Sequence, residues 1–185
     1  MKKFIALVLL GTLTIAWSTA KQKNTKSPNK DSIDLVLAVD SKKKVGTLNQ
    51  KGEVILSSKK LPSPARIGDK SYHLSDLGTL GSAKDHTLYL TFKATATKGI
   101  ETLLFATPIS DLKNLYQSKE ACRASQLCRG ESCNDCQFDW ADGCIIGCGC
   151  SEEANKDCNH TISSGKTQDV IGDCVAIALM LGTDL

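Results

Sequence analysis

Cysteine is the residue type with the greatest capacity for chemistry in this 185-residue sequence. None of its nine cysteines occurs in the first 121 residues. The cysteines are Cys122, Cys128, Cys133, Cys136, Cys144, Cys148, Cys150, Cys158 and Cys174. Thiols at this density can form disulfides, bind a soft metal ion or exchange disulfides with another molecule.

The surroundings of the cysteines favour a disulfide framework. Residues 123–160 lack hydrophobic periodicity, so this segment cannot bury a large core of its own and needs covalent closure. All nine cysteines are disulfide candidates, and the odd number leaves one thiol over. Choosing that thiol and pairing the other eight gives about 945 arrangements, among which the sequence does not choose. Cys148 and Cys150 are not expected to bond to each other, because a single intervening residue rarely permits the geometry.

Metal binding is the first alternative. Cys133 and Cys136 have the two-residue spacing that presents two thiolates to one ion, and soft thiolates select zinc or copper. The candidate ligands are Cys133, Cys136, Cys144, Cys148, Cys150 and His160. Under the disulfide hypothesis, by contrast, we expect no metal and no other cofactor.

Thiol–disulfide exchange is the second alternative, with Cys133 and Cys136 as the exchanging pair. A reactive thiol needs a lowered pKa, which nearby cations or a helix N-terminus provide. The neighbours of this pair include four acids, Glu131, Asp135, Asp139 and Asp142, and a single local cation, Arg129. Negative charge disfavours the thiolate, so we consider oxidoreductase activity the weakest of the three uses.

The sequence contains no other recognisable catalytic arrangement. Phosphate-binding glycine loops, Gly-x-Ser-x-Gly, His-Glu-x-x-His and haem attachment motifs are all missing, and there are only three histidines. We therefore identify no catalytic and no cofactor-binding residues, and we expect a non-catalytic binding or structural protein.

The N-terminal residues predict export. Residues 1–20 combine two lysines, an apolar run of about a dozen residues and small residues at Ser18 and Ala20, which is the pattern of a cleaved signal peptide. The short leader led by two lysines is typical of bacteria, so we expect the protein in the periplasm or secreted to the medium, with no membrane attachment after cleavage. Residues 21–31 then read as a disordered basic tether.

Short apolar runs separated by turns predict an antiparallel β module over residues 32–107. Residues 33–39, 45–48 and 53–56 read as a three-strand meander with turns at 40–44 and 49–52, and 57–69 as an extended loop. Residues 87–97 alternate apolar and polar side chains, which predicts a strand with one face exposed to water, and 100–106 supply its antiparallel return.

Pro108 is expected to end the sheet, with Ser110 capping a helix over residues 111–124. A cysteine-rich, loop-dominated module stapled by disulfides would then occupy residues 110–185 and end in a short helix over 168–181, between Thr167 and Gly182. The predicted fold class is thus α+β.

Charge differs between the two parts of the chain. Residues 21–100 carry 15 basic and 7 acidic side chains, a balance of +8, whereas residues 101–185 carry 6 and 13, a balance of −7. The lysines of the first part do not form a stripe interleaved with aromatic residues, so we expect no nucleic-acid binding. A protein or surface partner of unknown identity is the remaining expectation.

Overall fold

A computed structural model describes residues 32–57, 60–82, 87–111, 122–133, 135–151, 157–163 and 170–181. These residues form eleven strands and one helix, which are β1 (Ile33–Leu37), β2 (Asp40–Leu48), β3 (Val54–Leu56), β4 (Ala65–Ile67), β5 (Lys70–Ser82), β6 (Thr87–Ala96), β7 (Thr102–Asp111), β8 (Ser125–Gly130), β9 (Cys136–Ala141), β10 (Cys144–Cys150), β11 (Cys158–Ser163) and α1 (Val170–Leu181). The predicted signal peptide and tether lie outside the described residues.

Nine of these strands form one curled antiparallel sheet with β7 at its centre. The order is β3-β2-β1-β7-β6-β5-β4, and β8 and β11 branch from β7. One edge of β7 pairs with β6, whereas the other pairs with β8 over residues 102–106 and with β1 over residues 109–111. The remaining two strands, β9 and β10, form a separate hairpin.

The predicted three-strand meander is confirmed as β1 to β3. In its second loop the Asn49 side chain accepts the backbone N–H groups of Lys51 and Glu53, each at 2.9 Å, and Gly52 adopts a φ of 81° that suits glycine. The predicted turn at residues 40–44 is wrong, because these residues belong to β2. The side chains of Lys44 in β2 and Asp34 in β1 form an ion pair, with Nζ and Oδ1 2.7 Å apart, which favours the pairing of these two strands.

The segment between the meander and β6 contains two strands that the sequence did not predict. Part of the expected loop at residues 57–69 forms the short strand β4, which pairs with β5. In β5 the regular alternation is interrupted by a bulge between Ser75 and Gly78, where Asp76 has a positive φ of 54°. A bulge shifts the period-two pattern by one residue, which removes the signal that identifies a strand in a sequence.

The prediction that Pro108 ends the sheet is wrong. β7 continues to Asp111, so Ser110 lies in a strand and does not cap a helix. The carbonyl of Pro108 accepts the N–H of Ala38 at 2.9 Å, and in an extended strand a residue's N–H and C=O point to the same edge. The missing N–H of proline therefore faces Ala38, just beyond the end of β1, so the interruption falls at the end of the β1–β7 ladder.

The predicted helix over residues 111–124 is not seen. Residues 112–121 lie outside the described residues, and residues 122–124 contain no α-helix. The C-terminal helix is present as α1, although Thr167 and Gly182, its predicted cap and stop, lie outside the described part of the chain.

The cysteine-rich region is not dominated by loops. It contributes β8, β9, β10 and β11, of which β8 pairs with β7 of the main sheet. Strand pairing thus crosses the predicted module boundary near residue 110. The division of the chain into a β module over residues 32–107 and a cysteine-rich module over residues 110–185 stays a prediction.

The main sheet separates two different interiors. Alternate residues of β6 and β7, such as Phe92 and Phe105, face α1 and form a large apolar cluster, which we call the helix-side core. Tyr89 and Ala106, which alternate with them, face the β9–β10 hairpin instead. Helix and hairpin therefore cover opposite faces of the same sheet.

Candidate functional site

The β9–β10 hairpin forms because of its two-residue turn. Asp142 and Gly143 connect the strands with positive φ angles of 50° and 79°, and Cys144 pairs directly with Ala141. Two left-handed residues are the requirement of a type I′ turn, for which Asp-Gly is a preferred sequence. The Asp142-Gly143 dipeptide is thus a signal in the sequence for this hairpin, which the expectation of a loop-dominated segment did not include.

A bulge at Ile146 sets which side chains of the hairpin face the sheet. In the hairpin register Ile145 of β10 pairs with Trp140 of β9, and Cys148 of β10 pairs with Phe138 of β9. The two pairs are three residues apart on β10 but only two residues apart on β9. Residues three apart share a face of a strand only when an extra residue intervenes, and Ile146 is that residue. Ile145 and Cys148 therefore both face inward, while Ile146 is 62% exposed.

Four disulfides attach this hairpin to the rest of the molecule. The pairs are Cys122–Cys144, Cys128–Cys148, Cys133–Cys150 and Cys136–Cys158, with Cα–Cα distances of 5.2, 6.0, 6.0 and 6.1 Å. Each bond has one cysteine in β9 or β10 and its partner outside the hairpin. The predicted disulfide-stabilised region is confirmed, and Cys148 and Cys150 are not bonded to each other.

Cys174 is the cysteine outside these four disulfides. It lies in α1, is fully buried and belongs to the helix-side core. Its spacing with Ile171, Ile177 and Ala178 puts it on one face of the predicted helix, so helical periodicity is a signal that could have separated it from the other eight.

The structure contradicts the prediction of Cys133 and Cys136 as an exchange pair. Cys133 is bonded to Cys150 and Cys136 to Cys158, so the two-residue spacing does not correspond to a bond. Both cysteines are at least 95% buried, with exposed fractions of 0% and 5%. They belong to the framework that holds the hairpin.

The sheet face that was expected to be wet is covered where the hairpin lies on it. Tyr89 of β6 is fully buried, and its hydroxyl donates to the carbonyl of Cys122 at 2.9 Å. The ring of Trp140 meets the Tyr89 ring edge-on, with centroids 5.8 Å apart. Burial raises the pKa of Tyr89, so its hydroxyl remains a donor at neutral pH.

His160 lies in β11 beside a buried amide. Its Nε2–H donates to Oε1 of Gln126 at 2.7 Å, and among the described residues Nε2 of Gln126 has no hydrogen-bond partner. Burial lowers the pKa of His160, although the nearby charge of Asp139 opposes this effect. In the described part of the chain, His160 belongs to no group of potential metal ligands.

Several sulfur atoms under the hairpin lie close enough together to be potential ligands of one metal ion. Sγ atoms within 4.8 Å of one another form two groups, Cys128 with Cys136 and Cys158, and Cys133 with Cys150 and Cys158. Cys158 is shared by both groups. Of the predicted ligands, Cys133, Cys136 and Cys150 are members, whereas Cys144 and Cys148 are in neither group within the described residues. All five members are in disulfides, which leaves no thiolate to bind an ion in this redox state.

Glu101 carries a buried carboxylate that the sequence reading did not identify. Its Oε2 accepts hydrogen bonds from Lys70 Nζ at 2.5 Å and the Tyr72 hydroxyl at 3.0 Å, and Arg129 Nε lies 3.3 Å from its Oε1. Burial by itself raises the pKa of Glu101, but the hydrogen bonds and the two cations outweigh it and hold the pKa below its usual value. The same contact raises the pKa of Lys70.

A small cleft of about 220 Å³ lies where β8, β11 and the start of α1 meet. It is lined by Leu127, Arg129, Glu131, Asn159, Thr161, Val170 and Ile171. Its cation, Arg129, is already paired with Glu101, so the cleft offers a ligand little uncompensated positive charge. We assign no function to it.

The hairpin also carries exposed apolar side chains. Trp140 is 38% exposed and Ile146 is 62% exposed, on the two strands that the disulfides hold in place. None of the helices in the described residues is long and apolar enough to cross a membrane. No family model, curated protein or solved structure matches the chain.

Proposed function

We propose that the protein is an exported, non-catalytic binding module that presents the β9–β10 hairpin to a protein partner. One observation carries this proposal: four disulfides converge on a hairpin that leaves Trp140 and Ile146 exposed. Other exposed apolar side chains, such as Ile100, occur in the described residues, but Trp140 and Ile146 lie on the element to which all four disulfides attach.

Rigidity is what favours binding at this hairpin. Association costs conformational freedom at the interface, and a surface held in one conformation before binding avoids part of that cost. Tryptophan is among the residues that most often dominate the energy of a protein interface. The Trp140 ring is held by its edge-on contact with buried Tyr89 while 38% of its surface stays exposed.

Charge indicates the chemistry of the partner. Asp139, which precedes Trp140 in β9, and Asp142, in the turn of the hairpin, are exposed, and residues 101–185 as a whole carry 13 acidic against 6 basic side chains. A complementary surface combines an apolar pocket for Trp140 with lysine or arginine at its rim, since opposite potentials at an interface steer association. The partner that fits is therefore a protein with a basic, partly apolar surface.

The test compares two exposed positions. Crosslinking in the exported fraction of the source cells identifies a partner, and titration of the purified partner measures its Kd for the wild type, Trp140→Ala and Ile100→Ala. Ile100 is 61% exposed at the β6–β7 turn and serves as the control. We expect Trp140→Ala to raise the Kd at least tenfold and Ile100→Ala to leave it unchanged. Equal affinities for the three proteins, or self-association through the hairpin, would contradict the proposal.

Export rests on the predicted signal peptide and on the disulfides. Four disulfides are typical of a chain that folds in an oxidising, extracellular environment. Intact mass and N-terminal sequencing of the protein from a cell fractionation test this part. We expect a chain that begins at Lys21 and is eight mass units lighter than its fully reduced form, since each disulfide removes about two hydrogen atoms.

A second candidate function is the binding of zinc or copper as a resident metal. It is favoured by the two groups of sulfur atoms within 4.8 Å that share Cys158. Metal analysis of protein purified without chelator tests it. About one ion per chain would support this candidate, whereas zinc and copper far below that ratio would contradict it.

A further inference from the structure

We propose that reduction of two disulfides, Cys133–Cys150 and Cys136–Cys158, creates a four-thiolate zinc site around Gly130. The proposal goes beyond the binding role of the hairpin, and it concerns a metal acquired after reduction, not a resident one. Its failure would leave the proposed binding role intact.

Gly130 lies against two of these cysteines, Cys133 and Cys136, and opposite a third, Cys158. A Cβ atom at Gly130 would collide with the carbonyl oxygen of Cys133 and with Sγ of Cys136, so the Cys133-x2-Cys136 segment wraps closely around this residue. Cys158 pairs with Gly130 in the β8–β11 register, and Cys150 pairs with Cys136 in the hairpin. A loop and three strands thus carry these four cysteines, and Cys158 is the one whose Sγ lies within 4.8 Å of Sγ in each of the other three.

The distances suit a zinc ion once the two bonds are open. Zn–S bonds of about 2.3 Å in a tetrahedron place the sulfur atoms about 3.8 Å apart. Sγ of Cys158 already lies within 4.8 Å of Sγ in Cys133 and Cys150, so these atoms need to approach by at most about 1 Å. The bonded partners have to separate from disulfide to ligand distance, and Cys136, whose close neighbours are Cys128 and Cys158, also has to approach the Cys133 and Cys150 sulfurs.

The chemistry needs two reactants, a dithiol as the reductant and Zn²⁺ as the ion that is bound. Each disulfide accepts two electrons and two protons from a dithiol, so two equivalents of dithiol give four cysteine thiols and two oxidised dithiols. Zn²⁺ then binds the four sulfurs as thiolates, and four protons leave to the solvent. Zinc keeps its oxidation state throughout.

The other two disulfides remain as anchors. In the described residues, neither Cys122 nor Cys144 belongs to a group of close sulfurs, and Cys148 is likewise outside both groups. Opening the Cys128–Cys148 bond would therefore add one nearby ligand at most. With Cys144 and Cys148 still bonded, β10 stays attached to the rest of the molecule while the site forms.

Zinc titration of the full-length processed protein tests the proposal, with dithiothreitol as the dithiol. After two equivalents of dithiol we expect one zinc ion per chain and, with cobalt in place of zinc, the intense visible bands of a tetrahedral sulfur site. Zinc should protect Cys133, Cys136, Cys150 and Cys158 from alkylation. Cys122, Cys128, Cys144 and Cys148 should be found in disulfides. Protection of a different set of cysteines would overturn the proposal.

Paired substitutions separate this site from the framework around it. The variant with Cys136→Ser and Cys158→Ser should bind zinc at least 100-fold more weakly than the wild type. The matched control, Cys122→Ser with Cys144→Ser, removes a bond of the same sequence separation, 22 residues, and should bind zinc unchanged. Equal affinities in the two variants would refute the site. If the first variant does not fold, the alkylation pattern of the wild type still gives the answer.

Discussion

Among the residues that the structure describes, the helix side of the sheet contains one cluster of 21 buried residues, whereas the two clusters under the hairpin contain three buried residues each. The large cluster holds α1 against the strands by burial of apolar surface, at roughly 25 cal/mol per Å². The small clusters cannot hold a hairpin that way, and all four disulfides lie on that side. The comparison shows one sheet whose two coverings are held by different forces, because only one of them has enough apolar surface.

Trp140 makes the comparison measurable. The sequence has two tryptophans, Trp17 and Trp140, and Trp17 lies in the predicted signal peptide. In a chain that begins at Lys21, tryptophan fluorescence reports the hairpin alone, whereas far-UV circular dichroism reports the sheet and helix together. Unfolding followed by both signals therefore separates the two sides.

Phe105→Ala is expected to have the largest effect. Phe105 is fully buried in β7 and packs against Phe92, with ring centroids 4.9 Å apart. Truncation of such a side chain leaves a cavity and costs about 4 kcal/mol. Because the hairpin rests on the other face of β7, denaturant unfolding should show both signals shifting together. The control, Ile55→Ala at a 55% exposed position, should change the stability little.

Removal of one disulfide should affect the two signals unequally. The double variant Cys136→Ala with Cys158→Ala opens a loop with a sequence separation of 22, which costs about 3 kcal/mol in the chain-entropy account. We expect the fluorescence midpoint in urea to fall further than the circular dichroism midpoint, because the hairpin loosens first. Cys174→Ala leaves every disulfide in place and should keep the two midpoints together. Equal shifts in the double variant would show that the hairpin does not depend locally on its disulfides.

Glu101→Gln tests the contribution of a buried charge. The variant loses the ionic partner of Lys70 and Arg129 and should be less stable by about 2 kcal/mol at neutral pH. The pKa of Glu101 is lower in the folded protein, so its contribution is present above the unfolded pKa, about 4.3, and is lost as the pH falls through the folded pKa.

The pH dependence of this effect is the informative part. The stability difference between the wild type and Glu101→Gln should shrink on acidification below about pH 4.3, as measured by urea unfolding at a series of pH values. A difference that stays constant down to the folded pKa would mean that the carboxylate charge does not stabilise the fold.

Gly143→Ala should have the smallest effect and the most local one. Gly143 has a φ of 79° in the hairpin turn, and alanine in such a conformation costs about 1 kcal/mol. We expect a small decrease of the Trp140 midpoint with little change in circular dichroism. Gly149→Ala is the control, because a Cβ there meets no atom within 4 Å. A larger loss in the control than in Gly143→Ala would contradict the assignment of the turn.

Local patterns of the sequence identified several elements correctly. The alternation in residues 87–97 predicted β6, the Asn49 to Gly52 turn predicted the β2–β3 loop, and the spacing of Ile171, Cys174 and Ile177 predicted α1. These local signals identify the elements because the residues that form each element are close to one another in the sequence.

Elements with interrupted patterns were missed for a physical reason. The bulge at Asp76 breaks the alternation of β5, and the bulge at Ile146 breaks that of β10. In the cysteine-rich segment, the strands also owe their stability to disulfides and to pairing with distant partners, so their own side chains carry little periodic signal.

The sequence by itself determined that the cysteine-rich segment would be covalently stapled, that one cysteine would be left over, and that a buried helix would follow it. Only the tertiary structure decided that Cys174 is that cysteine, that Cys133 and Cys136 bond to different partners, and that Glu101 meets Lys70 and Arg129. Cysteine density and helical periodicity are local properties of a chain. Disulfide pairing and buried charge pairs depend on which distant strands the curled sheet brings together, and that is set by the packing of the whole molecule.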